Sequence, residues 1–208
     1  MSLNPAASHS RNAITDAEAI ARSSNPGADI ASGVAATDIT PARLAIWTIL
    51  FQIAWNIKKL PGIIQEGVFP DPDDFLRLNQ VRNWLGGSGW FDISVQRMDP
   101  HFGADMHWSR LVDVPMALLI KFFGLFTGPL LAERLMAIIW PTMLLIGLVL
   151  VMTAICQKVV PQANKLVTLL FTVMCFPAVI ESAPGRIDHH NVQILLFATA
   201  LLGLVNRE

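Results

Sequence analysis

Residues 135–155, LMAIIWPTMLLIGLVLVMTAI, carry no charge. Few folds accept such a run. A helix of about 20 apolar residues crosses the hydrocarbon of a bilayer, whereas in a soluble domain the same helix would need an apolar coat on every side. Composition favours the membrane: of 208 residues 53% are hydrophobic and 15% charged, with a mean hydropathy of +0.48, too apolar for an ordinary soluble domain. The formal net charge of −1 leaves no basic stripe for nucleic acid, so membrane lipid is the expected partner.

Three further segments read as spans: LAIWTILFQIAWNI at 44–57, prolonged through KKLPGII to residue 64, LVTLLFTVMCFPAVI at 166–180, and VQILLFATALLGLV at 192–205. Pro141 and Pro177 are tolerable inside such helices where neighbours satisfy the freed backbone groups. The segment VPMALLIKFFGLF at 114–126, interrupted by Lys121, suits an interfacial helix. The expected fold is therefore an all-α membrane protein, a polytopic transmembrane helix bundle of about four spans (42–208) with a long external loop containing interfacial helices. Residues 1–41, rich in Ala, Ser, Asn, Asp and Gly, read as a disordered cytoplasmic tail. With Lys158 and Lys165 on the cytoplasmic side, loops 65–134 and 181–191 share the external face, although Lys58 and Lys59 then lie outside as well. Cys156 and Cys175 fall in or beside apolar runs and read as buried thiols.

The external loops hold the polar chemistry. Phe75, Leu78, Val81 and Trp84 recur every three residues, so 74–85 reads as an amphipathic helix ended by Gly86 and Gly87, with Arg77 and Arg82 pointing away from its apolar stripe. Asp71, Asp73 and Asp74 stand at its start. Capping explains one of them, and three hard carboxylates together also suit a divalent cation. Downstream, MDPHFGADMHW adds His101, Asp105, His107 and Trp108, and Arg77, Arg82 and Arg110 suit phosphate oxygens. In APGRIDHHNVQ at 183–193, Asp188 and His190 can converge on one cation while His189 points away or supports them, a donor set better matched to Mn, Zn or Fe than to Ca. Both acidic clusters fall on one membrane face, which makes a shared site possible.

The order DPDDFLRLNQVRNWL, then DPHFGADMHWSRLVDVP, then two spans and GRIDHHNVQ resembles the N-terminal part of the GT-C fold membrane glycosyltransferases. It is most similar to the catalytic subunit of oligosaccharyltransferase and its archaeal and bacterial single-subunit relatives. The resemblance covers roughly residues 43–206. It implies Asp73, spaced from the basic Arg82 as in the family, as a catalytic metal ligand with Asp74 the near alternative. It implies Asp188 and His190 as the DxH pair of the second loop, Asp188 being the other catalytic carboxylate. A divalent metal, Mn or Mg, would then neutralise the leaving phosphate of a polyprenyl-phosphate- or diphosphate-linked sugar. His107, Arg110 and Arg82 are candidate phosphate contacts. The site would sit on the external face of a bacterial inner or plasma membrane. Family members carry more spans, a later acidic loop and a soluble acceptor-recognition domain, so the expectation is an N-terminal portion completed by a missing C-terminal domain or a partner subunit.

Other function classes are a transporter or non-catalytic subunit, and a structural membrane protein whose carboxylates and imidazoles are merely solvated. The apolar segments carry almost no ionisable residues, whereas ion-coupled transporters usually place some near the midplane.

Overall fold

The uncharged run lies in one helix of 31 residues, Pro129–Val159, against which most other elements pack. This computed structural model describes residues 39–95, 98 and 103–207. The expected tail, up to residue 38, and His101 lie outside the described residues. In chain order the elements are α1 (Pro41–Asn56), a π-helical turn (Gly62–Glu66), α2 (Pro72–Leu85), the short strands β1 (Ser94–Val95) and β2 (Ala104–Asp105), α3 (Arg110–Gly124), α4 (Pro129–Val159), α5 (Lys165–Met174), α6 (Phe176–Glu181) and α7 (His190–Val205). The strands pair antiparallel, Ser94 opposite Asp105 and Val95 opposite Ala104. The described fold is thus mostly helical with almost no strand, consistent with the all-α expectation.

Among the described residues α4 is the helix long and apolar enough to cross a membrane. At about 46 Å it is longer than a hydrocarbon layer of about 30 Å. Its first turns carry Glu133, which binds Arg82 of α2 in a two-pronged pair at 2.8 and 2.5 Å. They also carry Arg134, which donates to the carbonyls of Ile64 and Gln65 at 2.8 and 3.1 Å. The core at this end joins Leu78 and Val81 of α2, Met116 of α3, Met136 and Trp140 of α4, and Ile187 from the loop before α7.

Pro141, inside α4, has no N–H to give the carbonyl of Ala137. That freed oxygen accepts the backbone N–H of Gly185 at 2.8 Å, so a helix imperfection in the sequence becomes the anchor of the Asp-His-His loop. Gly185 has φ +91°, and a Cβ there would lie 2.9 Å from Pro70 Cδ and 3.3 Å from Ile63 Cδ1. Gly185→Ala combines left-handed strain with overpacking and is expected to cost about 2–5 kcal/mol. A thermal-unfolding midpoint in detergent equal to wild type would refute this account of the turn.

Helix α1 is apolar outside and polar inside. Thr48, Gln52 and Asn56, spaced by one helical turn, are buried, while Ile46, Trp47, Leu50, Ile53 and Trp55 are exposed. The inward groups are bonded: the Thr48 hydroxyl donates to the Leu44 carbonyl at 2.8 Å, and the Gln52 amide to the Ser182 carbonyl at 2.5 Å. Water would favour the reverse arrangement, and a hydrocarbon solvent favours this one.

Three expectations need correction. The segment expected as one span at 166–180 is two helices, α5 and α6, parted at Cys175. Pro177 lies just past the break, where its ring and missing N–H prevent α5 from running on. The cysteines are not buried: Cys156 is half-buried and Cys175 exposed, and both line a lateral apolar cavity of about 590 Å³ between α4, α5, α6 and α7. Arg77 does not point away from the packed face of α2 but is wholly buried, while Phe75 is exposed.

Candidate functional site

Two loops distant in sequence meet at the start of α2. Asp71 caps the helix, its carboxylate accepting the Asp73 N–H at 3.0 Å. Asp74, fully buried, accepts the backbone N–H groups of Ile187 and Asp188 on one oxygen at 2.8 and 3.0 Å, and the Arg186 guanidinium lies 3.3 Å from the other. Arg186 also pairs with Asp71 at 2.9 Å and Glu181 at 2.6 Å. It therefore clamps the end of α6, the cap of α2 and the loop itself. Asp74 thus ties the start of α2 to the backbone of the second loop, whereas the sequence expectation paired Asp73 with Asp188. Asp73, one residue earlier and about 100° round the helix, is exposed.

Asp188 is the centre of the second loop. Its two carboxylate oxygens each contact an imidazole, His189 Nδ1 at 2.5 Å and His190 Nδ1 at 2.6 Å. The imidazoles are stacked with centroids 4.5 Å apart, and Trp108 lies 5.8 Å beyond His189. Among the described residues, Asp188, His189 and His190 form the group whose donor atoms, all within 4.8 Å of one another, are disposed to hold an ion. Asp188 is buried whereas the His190 side chain is 50% exposed, so the trio has a fixed inner end and an open outer one. His189, which the sequence allowed only a supporting role, stands as close to Asp188 as His190 does.

Behind Asp188 lies a charged network that hydrophobic periodicity did not reveal. Arg77 pairs with Asp113 at 2.9 Å, lies 3.9 Å from Asp188 and covers the Trp108 ring at 4.5 Å. Arg110 reaches Asp113 at 3.4 Å and donates to the carbonyls of Gln80, Trp90 and Asp92. Burial pushes the Asp113 carboxyl up and the Arg77 guanidinium down, each opposed by the other's charge. Burial raises Asp74 to about 6, against the Arg186 charge and its two backbone donors. Burial also works to raise Asp188, but the His189 backbone N–H and the imidazoles outweigh it and hold Asp188 below the ordinary value.

Of the phosphate contacts expected from sequence, Arg82 is engaged by Glu133 and Arg110 by backbone carbonyls. His107 is exposed, 6.4 Å from the Trp108 ring. The donor chemistry of the trio, one carboxylate and two imidazoles, fits Mn²⁺ or a neighbouring transition metal better than Ca²⁺. Across the linked pairs, the guanidiniums of Arg77, Arg110 and Arg186 face the carboxylates of Asp71, Asp74, Asp113, Glu181 and Asp188. No protein-family model, no curated protein and no solved structure matches the chain.

Proposed function

We propose that the chain is the metal-binding portion of a GT-C type membrane glycosyltransferase, akin to the oligosaccharyltransferase catalytic subunit. The supporting observation is the junction of Asp74 with the backbone of Ile187 and Asp188. It joins the two acidic loops that the resemblance requires and sets the Asp188, His189 and His190 donors at one end of α4. In this reading α1, α4, α5 with α6, and α7 span the membrane, and the site opens on the external face of a bacterial inner or plasma membrane. The lipid-like exposure of α1, α5 and α7, with Trp47, Phe171 and Phe197 bare, supports several passes.

Asp188 with His190 and His189 would hold the metal, and exposed Asp73 remains its candidate contributor from α2, since both oxygens of Asp74 are already bonded. Bound there, a divalent cation supplies charge stabilisation to the oxygens of a departing polyprenyl phosphate or diphosphate. The chain's own residues do the rest. Asp74 and Arg186 hold the loop, Trp108 fixes the inner imidazole by contact with its ring, and exposed His107 beside Trp108 remains the candidate phosphate contact. Arg82 and Arg110 shape the α2 wall through Glu133 and the backbone carbonyls, and serve phosphate only if those bonds exchange.

The alternative, a transporter or non-catalytic subunit, draws on the buried Thr48, Gln52 and Asn56 of α1. Those groups bond backbone and one another, which is how polar side chains join membrane helices. The deciding experiment uses the chain in nanodiscs with Mn²⁺ and a polyprenyl-phosphate sugar. Mn²⁺ should bind, seen as loss of the free-ion paramagnetic resonance signal, and donor retention should require it. Retention unchanged by EDTA, or no Mn²⁺ binding, would overturn the proposal.

A further inference from the structure

Arg77 is the largest fully buried side chain among the described residues, and it is underused. Its Nη1 donates to Asp113 at 2.9 Å, yet Nη2 and Nε are buried without a hydrogen-bond partner. A buried guanidinium that leaves donors unmet is costly unless something else requires it. Asp113 cannot be its full counterion, because the second oxygen of Asp113 is shared with Arg110 at 3.4 Å. The remaining positive charge faces Asp188, whose Oδ1 lies 3.9 Å from Nη2.

Asp188 is thus contacted from two sides. His189 and His190 take its carboxylate oxygens on the outer side, and Arg77 faces it from the wholly buried side. Trp108 ties these together, lying under the Arg77 guanidinium at 4.5 Å and against the His189 ring at 5.8 Å. A change in Arg77 would therefore reach the donor trio by two routes, through the carboxylate and through the indole. Arg110, anchored on three backbone carbonyls, holds Asp113 and through it the angle of the Arg77 fork.

We propose that Arg77 is a positioning residue of the metal centre: with Trp108 it sets the orientation of the Asp188 carboxylate and the His189 ring from behind, without itself touching the ion. The inference rests on the metal-centre reading above. Were the imidazoles to turn from Asp188 to an ion, Oδ1 would lose its His189 contact, and the unpartnered Nη2, 3.9 Å away, is a buried donor that would replace it. The planar fork matters, since one group must serve Asp113 and Asp188 together.

The test measures Mn²⁺ affinity by paramagnetic resonance on the full chain in detergent. Arg77→Met alone leaves the buried Asp113 with Arg110 at 3.4 Å as its one ion-pair partner, so the informative variant is Arg77→Met with Asp113→Leu, which exchanges the ion pair for apolar groups of similar bulk, a change folds often accept, while Arg110 keeps its three backbone carbonyls. This double variant should unfold near the wild-type temperature and bind Mn²⁺ about 10–100-fold more weakly, the usual scale for groups that orient metal ligands. Arg77→Lys, which keeps the charge and loses the fork, should also weaken Mn²⁺ binding and alter the resonance spectrum of the bound ion. It serves as the readout should the double variant not fold. Wild-type affinity and spectrum in a folded variant would overturn the role of Arg77 while leaving the metal centre intact. Failure of the wild-type chain to bind Mn²⁺ would defeat the metal centre and the inference together.

Discussion

Asp74→Ala is expected to destabilise the protein by about 3–5 kcal/mol, because two buried backbone N–H groups lose their acceptor at about 1–3 kcal/mol each and the Arg186 clamp loses an arm. The groups are the N–H of Ile187 and Asp188, both bonded to one Asp74 oxygen. Neither has water at hand, since Asp74, Ile187 and Asp188 are all buried. Thermal unfolding in detergent reads the loss, and Mn²⁺ affinity should fall with it as the loop carrying Asp188 loosens. Asp74→Asn separates geometry from charge, since its amide oxygen can accept both N–H groups. Burial raises Asp74 to about 6 from the ordinary 3.8, so the metal-free folded state binds this proton more tightly than the unfolded chain. The resulting stability is complete below the unfolded value and is lost as pH rises through about 6. In EDTA, wild type should therefore gain on Asp74→Asn by on the order of 2–3 kcal/mol as pH falls from 7 to below 4. A difference independent of pH would sink this assignment.

The positions of Asp73 and Asp74 show what a sequence can and cannot disclose. Counting apolar segments led to the expectation that the acidic cluster near residue 73 and the loop at 188 share one side, and the contact between them runs through Asp74. Which carboxylate turns inward was not legible, because neighbouring helix residues differ by about 100° and only the contact with Ile187 and Asp188 selects one. The helix around residues 135–155 was legible because an uncharged run of that length has few alternatives. The break at Cys175 was missed because a proline in a membrane helix is often tolerated, and local packing decides. Arg77 was the deepest miss. A threefold apolar repeat assigns every charged residue to the outside, and the reason for an exception, Asp113 on another helix and Asp188 in a distant loop, lies in no local pattern. The one local hint was Arg110 three residues before Asp113, a spacing that brings opposite charges together on a helix.

Asp188→Ala should reduce Mn²⁺ affinity by more than about 100-fold, beyond the range typical of groups that merely orient ligands. Asp188 is the one anionic donor of the trio, and removing it deletes its charge and the acceptor that both Nδ1 atoms share at 2.5 and 2.6 Å. It also leaves Arg77 facing an empty position, so the fold needs its own control, supplied by Asp188→Asn, which keeps the volume and one acceptor oxygen. Both variants should lose the ion, and Asp188→Asn should retain most of the unfolding temperature. His190→Ala removes a half-exposed ring that stacks on His189 but not on Trp108, so a smaller loss of affinity with only a small change in stability is expected there. His189→Ala also loses the Trp108 contact and should cost both. Asp73→Ala completes the series: a loss matching His190→Ala would bring Asp73 into the coordination sphere. Unchanged affinity would leave the contribution of α2 to Asp74, which acts by holding the backbone of the loop rather than the metal. The order of the effects thus distinguishes an ion held by the compact Asp-His-His turn from one shared between two loops, and that difference decides how much of the site survives if the loops move apart.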